Sequence, residues 1–202
     1  MRGLINLNAI PIAYENAAYF VSEKELNAVK QTKYRESDDG LHLSKSIHLL
    51  EDKAFASLKA FIIKKAEEYT ANVLEIKDEI YMTQSWSTIN EKGGFHKTHS
   101  HPNTFLSLVY YVQCKSGSLC FHLNTNALKN CSNFSYTIKN YNIYNSSEWE
   151  VPVQTGDLVL FPGHILHGTN PNKSVEPRII IGANFFIKGT LGSDEQISSI
   201  TI

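Results

Sequence analysis

The chain of 202 residues holds only three cysteines, Cys114, Cys120 and Cys131, with no CxxC pair among them. An odd, dispersed set excludes a disulfide framework and a thiolate zinc site, and it points to a reducing, cytoplasmic setting. Long hydrophobic runs are lacking as well. The longest, Ile179 to Ile187, is broken by Gly182 and Asn184 and falls short of the ~20 residues that a membrane-crossing helix needs. Asn6, Asn8, Pro11 and Glu15 interrupt the N-terminal stretch, so no export signal is expected. No sign of charge dominates: Lys+Arg 19 against Asp+Glu 20 removes the global electrostatic case for nucleic acid or an anionic membrane as partner. What remains is 42% hydrophobic, 11% aromatic and 19% charged, the composition of a folded globular protein with a sizeable core. Function then rests on local sites, and the 8 histidines are of the type that most often binds metals and moves protons near neutral pH.

Along the chain, alternation over residues 4–13 predicts a strand, with Pro11 placing its end at a sheet edge. Ser22 followed by Glu25 fits a capping box before EKELNAVK, and RESDDG (35–40) reads as an exposed turn. Between Leu50 and Leu74, Phe55, Leu58, Phe61, Ile62, Ala66, Tyr69 and Val73 recur at three- and four-residue steps, which predicts a long amphipathic helix. After residue 78 the pattern becomes extended, in runs 79–89, 105–112, 118–123, 149–153, 157–161 and 178–187 separated by Gly, Pro and Asn turns. The Asn- and Ser-rich stretch 124–148 is long for a connection and reads as a lid or an elaborated hairpin, and SDEQISSITI as a frayed tail or a swapped strand. The expectation is a single domain, 1–202: strand and supporting helices over 1–77, then a small β-sandwich or barrel over 78–190.

His42 and His48 fall in the helical part and the other six histidines in the β portion. In GGFHKTHSHPN, His99 and His101 are two residues apart, so an extended backbone puts both rings on one face, within reach of one cation. Taken alone, an HxH is as readily a solvent-facing loop pair. His167, in a turn after DLVLF and Pro162-Gly163, would bring a third ligand to the sheet rim. Arg178 opens the last apolar strand eleven residues later, where its guanidinium could bind a carboxylate bidentately while the far end of that molecule reaches the metal.

These stretches, GxFxxxHxHPN, LSxVYYV, GDLVLFPxxxxHGTxPN and the RIIIxxNF that follows Glu176-Pro177, resemble the iron(II)- and 2-oxoglutarate-dependent oxygenases over residues 80–187. The closest likeness is to a subfamily common in bacterial and phage genomes, with an HxH where relatives have HxD. The resemblance implies a mainly β, α+β fold, a double-stranded β-helix or jelly-roll with an N-terminal helical layer. It implies Fe(II) on His99, His101 and His167, 2-oxoglutarate as cosubstrate with its C5 carboxylate on Arg178, and hydroxylation of a second substrate as 2-oxoglutarate is decarboxylated to succinate. Two departures follow. His101 replaces the usual carboxylate ligand and leaves three neutral ligands, and Ile180 stands where many relatives carry a hydroxyl two residues after the arginine.

Asn103 and Ser107 could hydrogen-bond the bound acid, or serve as turn and strand-rim polar groups; of Tyr110 and Tyr111, at most one faces the barrel, with Tyr111 taken as the cosubstrate contact. His96, His164 and Asn184 are candidates for supporting the ligands from behind, Trp86 is expected in the core, and His122 has no assigned role. A small molecule or peptide is the expected substrate, without nucleic acid or membrane, and the leading helix and tail offer surfaces for a homodimer. The cytoplasm would be that of a bacterium, or of the host if the chain is phage-encoded. A cupin-type enzyme, a three-His dioxygenase or an isomerase, is the alternative, since Gly93 and His99-Ser-His101 fit the first cupin motif. The cupin glutamate, however, falls on Phe105 or Leu106, and Arg178 has no cupin role. A non-catalytic jelly-roll binding module is the third reading.

Overall fold

The computed structural model describes residues 9–35, 40–115, 117–122 and 137–202. Strand β1 (Ala13–Glu15) leads into helix α1 (Glu23–Gln31), a hairpin of β2 (Tyr34–Arg35) and β3 (Leu41–Ser44), two short 3-10 turns and helix α2 (Ala56–Asn72). Then come β4 (Ile80–Asn90), β5 (Leu106–Gln113), β6 (Gly117–His122), β7 (Glu148–Val153), β8 (Leu158–Pro162), β9 (Leu166–Thr169) and β10 (Arg178–Ile187), and a last hairpin of β11 (Thr190–Leu191) and β12 (Ile200–Thr201). Two antiparallel sheets carry the β portion, one in the order β1-β8-β5-β10-β4-β3-β2 and the other β7-β6-β9. No helix among the described residues is long and apolar enough to cross a membrane.

The large sheet has two apolar faces because β5 and β10 alternate between two destinations. Leu106, Leu108, Tyr110, Ile179, Ile181, Ala183 and Phe185 pack with Leu58, Ile62, Ala66 and Tyr69 of α2. Tyr111 and Ile180, from the opposite face, pack with Leu119 and Phe121 of the small sheet and with Val159, Phe161 and Ile165. The helical layer therefore braces one side, and the space between the two sheets is left for a site.

Glu25 fastens that layer. Ser22 caps α1, and the Glu25 carboxylate, almost fully buried, accepts from Ser22 N (2.8 Å), Ser22 Oγ (2.8 Å) and Tyr19 OH (3.1 Å). It also accepts at 3.0 Å from the backbone N–H of Leu58, one of the donors that the first turn of α2 leaves without an intrahelical partner. One side chain so caps two helices. Asp157 plays the same part for β1: buried at the start of β8, it accepts from Ala17 N (2.9 Å), Gln154 N (2.9 Å) and Tyr14 OH (3.3 Å).

Several expectations are corrected. The edge strand begins after Pro11, at Ala13, and residues 9–12 are not strand; the earlier part of 4–13 lies outside the described residues. Helix α2 begins at Ala56, because the chain from Leu49 to Phe55 coils into 3-10 turns, and Val73 falls past its end, 49% exposed. His42 is in strand β3 and His48 precedes the first 3-10 turn. The C-terminal segment folds back on its own chain as β11 and β12. Of the stretch 124–148, residues 124–136 lie outside the described residues, 137–147 form turns and Glu148 begins β7.

Glu25→Ala is expected to lower the free energy of unfolding by about 2–4 kcal/mol, since it leaves buried donors of two helix N-termini without an acceptor. A urea midpoint equal to the parent's would refute that role.

Candidate active site

Two segments more than sixty residues apart meet through the main chain. His99 N–H donates to His167 O at 2.9 Å and His167 N–H donates to His99 O at 2.8 Å, an antiparallel bridge that clips the HxH loop onto β9. His101 N–H is held by Gly163 O at 2.9 Å. One potential ligand atom from each of His99, His101 and His167 then falls within 4.8 Å of the others.

Each ring is turned the same way. Nδ1 of His99 lies 2.8 Å from Lys97 O, Nδ1 of His167 lies 2.8 Å from Ile165 O, and Nδ1 of His101 lies 2.7 Å from Asn184 Oδ1. A carbonyl oxygen only accepts, so this network assigns the proton of each neutral ring to Nδ1 and leaves Nε2 as a bare lone pair. His99 Nε2 and His101 Nε2 stand 3.0 Å apart, where two lone pairs repel unless a cation or proton lies among them. Burial holds His167 well below the ordinary imidazole range, at about 3, and lowers His101 too, with the neighbouring histidines adding to the effect. Three neutral imidazoles facing one point fit a divalent transition metal, iron included.

The opposite end of the cavity carries the positive charge. Arg178 is 1% exposed; its Nη2 donates to Thr169 Oγ1 (2.9 Å) and Asn170 O (2.9 Å), and its Nε to Asn90 Oδ1 (3.4 Å). Among the described residues its Nη1 has no partner and no carboxylate pairs with the guanidinium. A Cβ at Gly117 would stand 3.0 Å from Nη1, so the glycine leaves that nitrogen its room. Thr88 Oγ1, Asn90 Nδ2 and Tyr111 OH are also buried without a partner among the described residues. All four orphaned groups belong to residues lining the cavity that His99, His101 and His167 line. Buried polar groups are rarely left unpaired, and three of them beside the free nitrogen of one buried guanidinium describe a receptor for a carboxylate. Burial raises the Tyr111 phenol, which stays a neutral donor.

Strand register explains the convergence. On the face of the large sheet that looks into the cavity, Arg178 lies opposite Asn90, Ile180 lies between Thr88 and Tyr111, Gly182 between Trp86 and Val109, and Asn184 between Gln84 and Ser107. These are four successive rows across β4, β10 and β5, with the acid receptor in the first two and the support for His101 in the last.

A family model described as "Putative 2OG-Fe(II) oxygenase" matches residues 84–184, half of the 202-residue chain. The chain belongs to this family. It is an oxidoreductase that depends on Fe(II) and 2-oxoglutarate, and this decides against the cupin and binding-module readings. A search of curated proteins returns no match. Among solved structures, this oxygenase is similar to HygX from Streptomyces hygroscopicus with nickel and 2-oxoglutarate bound (TM-score 0.61, 11% identity, 87% of this chain and 82% of that one). It is similar also to a Pseudomonas putida prolyl-4-hydroxylase (TM-score 0.58, 13% identity, 89% and 94%) and to an oxidoreductase of the 2OG-Fe(II) oxygenase family from Burkholderia pseudomallei (TM-score 0.56, 10% identity, 86% and 83%). At such identities the likeness is one of fold, the double-stranded β-helix.

Most of the expected site residues of the oxygenase meet in this cavity. His99, His101, His167, Arg178 and Tyr111 line it, and so does His96, whose ring stacks on His99 with centroids 4.2 Å apart. Ser107 and Asn184 stand behind His101, and Ser107 is not among the residues that line the cavity. Asn103 is corrected: it occupies an exposed turn at φ 55° and does not line the cavity. His164 is corrected likewise, exposed in the turn before β9, and His167 itself lies in that strand. Trp86, expected in the core, lines the cavity instead, its indole so close over Gly182 that a Cβ there would meet it at 2.6 Å. Thr88 and Asn90 escaped the sequence reading, because their only signal is the register of β4 against β10.

His167 titrates near 6.5 in an unfolded chain and at about 3 in the fold, so between those values the unfolded state binds more protons and stability falls as pH falls. The metal-free protein is expected to lose on the order of a few kcal/mol across that window from this ring. Urea titrations at stepped pH should show a flatter slope for His167→Gln, and an unchanged slope would count against a buried neutral imidazole.

Proposed function

We propose that this oxygenase hydroxylates a small molecule, with His99, His101 and His167 as the ligands of Fe(II) and Arg178, Tyr111, Thr88 and Asn90 as the receptor for the C5 carboxylate of 2-oxoglutarate. The observation that carries the reading is the set of four orphaned buried polar groups at one end of a cavity whose other end holds three converging imidazoles. Overall, a C–H bond of the substrate, dioxygen and 2-oxoglutarate give the C–OH product, succinate and carbon dioxide. Bound iron would supply the activation of oxygen.

The chain's own residues do the rest. His99, His101 and His167 keep their protons on Nδ1, so the cation is bound without displacing any. Arg178 is held rigidly by Thr169, Asn170 and Asn90, which leaves Nη1 aimed at the ligand at little further cost in entropy. Thr88, directly opposite Ile180 on the neighbouring strand, offers the hydroxyl that position 180 lacks. Leu119, Val109 and Ile180 line the cavity between its two ends and exclude water there.

A small-molecule substrate is supported by the balanced charge of the chain, which offers no broad grip for a polyanion. The HygX fold relative holds hygromycin B in a companion structure. One domain containing both ends of the cavity suffices for this reaction.

Anaerobic titration with Fe(II) and then 2-oxoglutarate is expected to give a metal-to-ligand charge-transfer band, and admission of air to give succinate. Arg178→Met should raise the 2-oxoglutarate dissociation constant at least about thirtyfold, about 2 kcal/mol, and Thr88→Val about fivefold, about 1 kcal/mol, with Fe(II) affinity in the absence of the acid not weakened in either. No band in the parent, or full 2-oxoglutarate affinity in Arg178→Met, would refute the assignment.

A further inference from the structure

Of the three acceptors that orient the imidazoles, two are main-chain carbonyls, Lys97 O and Ile165 O, and one is a side chain, Asn184 Oδ1. Asn184 is almost fully buried and lies at a register shift between Asn184 and Phe185 in the pairing of β10 with β4, an irregularity that re-aims a side chain. Its amide has one stable orientation. Ser107 Oγ–H donates to Oδ1 at 3.0 Å, and Nδ2 donates to Gln84 Oε1 at 3.1 Å. Rotating the amide by half a turn would set an NH2 group against the Nδ1–H of His101 and a carbonyl against the Gln84 oxygen. Gln84, Asn184 and Ser107 are direct cross-strand partners in one row, so three strands hold the arrangement together.

We infer that Asn184 is the positioning residue of the metal centre: through its fixed carbonyl it locks His101 with Nε2 toward the cation and sets how strong a donor that ring is. The inference rests on the ligand assignment above. His101 occupies the position where relatives with an HxD motif place an anion, and its donor strength depends on the group behind it. A neutral amide keeps the ring a neutral imidazole. A carboxylate at residue 184 would pull the Nδ1 proton harder and return part of the missing negative charge to the cation through the ring.

The test uses the full-length protein and Co(II), whose ligand-field absorption reports both affinity and geometry without turnover. Asn184→Leu is expected to weaken Co(II) binding about 10- to 100-fold and to alter the absorption bands, while far-UV circular dichroism stays that of the parent. Asn184→Asp should bind Co(II) at least as tightly as the parent, with its bands shifted. Asn184→Leu binding within twofold of the parent with unchanged bands overturns the inference, and so does an Asn184→Asp that loses the metal as Asn184→Leu does. Should both variants unfold, Gln84→Met decides: the residue is exposed, its loss frees the amide to rotate, and a severalfold weaker Co(II) affinity is expected, with no change overturning the inference. A parent protein that binds no Co(II) refutes the ligand assignment itself, whereas a parent that binds beside an indifferent Asn184→Leu refutes only the role of Asn184.

Discussion

The pair of main-chain hydrogen bonds exchanged by His99 and His167 is the constraint from which the site follows. It joins a loop between β4 and β5 to a strand of the small sheet, so it closes the two sheets on each other at one end as well as positioning two rings. The bonds involve only backbone groups, and their geometry is therefore insensitive to what the rings bind. Two of the three rings are then oriented by main-chain carbonyls two residues back in sequence, Lys97 O for His99 and Ile165 O for His167. A local i to i−2 contact of this kind needs no tertiary support beyond the bridge itself. His101 lacks such a partner and takes one from across the sheet, which is why Asn184 and Ser107 are buried beneath it in a row that ends on the exposed Gln84.

The burial of Ser107, Asn184 and Arg178 only makes sense because the large sheet has a different use for each face. The outer face is covered by α2 and needs nothing but shape, so Ile179, Ile181, Ala183 and Phe185 serve there. The inner face of the same strand alternates with them and bears Arg178, Ile180, Gly182 and Asn184. Period two thus writes a core and a site into one ten-residue stretch. Glu25 and Asp157, each buried and each accepting from backbone N–H groups, join α1 to α2 over the outer face and fasten the turn after β1 to the one before β8.

That alternation is also what the sequence discloses best. RIIIGANFFI is β10 from its first residue to its last, and the sites of His99, His101 and Arg178 follow from it and from the HxH spacing. His167 was harder to place. Its strand is four residues long, contains a glycine and follows Pro162-Gly163, so local chemistry says turn, and only the pairing with β6 and the bridge to His99 makes it a strand. Thr88 and Asn90 were invisible for a different reason. Both are small polar residues on a strand of mixed pattern, and their meaning lies in facing Ile180 and Arg178, some ninety residues away. Asn103 shows the converse error: proximity in sequence to the ligand pair suggested a contact, but the chain turns outward there through a left-handed residue.

Charge ties the two ends of the cavity together. Three neutral imidazoles add nothing to a divalent cation, and Arg178 has no anionic partner among the described residues, so a loaded site would carry three positive charges before its cosubstrate arrives. The dianion of 2-oxoglutarate offsets two of them. With a carboxylate among the ligands the cation would already be partly neutralised, and its contribution to holding the acid would be smaller. In this chain the cation and the cosubstrate must therefore be more strongly coupled: metal-free protein presents a dianion with a single guanidinium, and acid-free protein leaves that guanidinium facing the cation across a cavity lined by Ile180, Val109 and Leu119, where little water screens it. The same low-polarity lining that raises the cost of a half-filled site strengthens the attraction in a filled one, so each component is held more tightly once the other is bound.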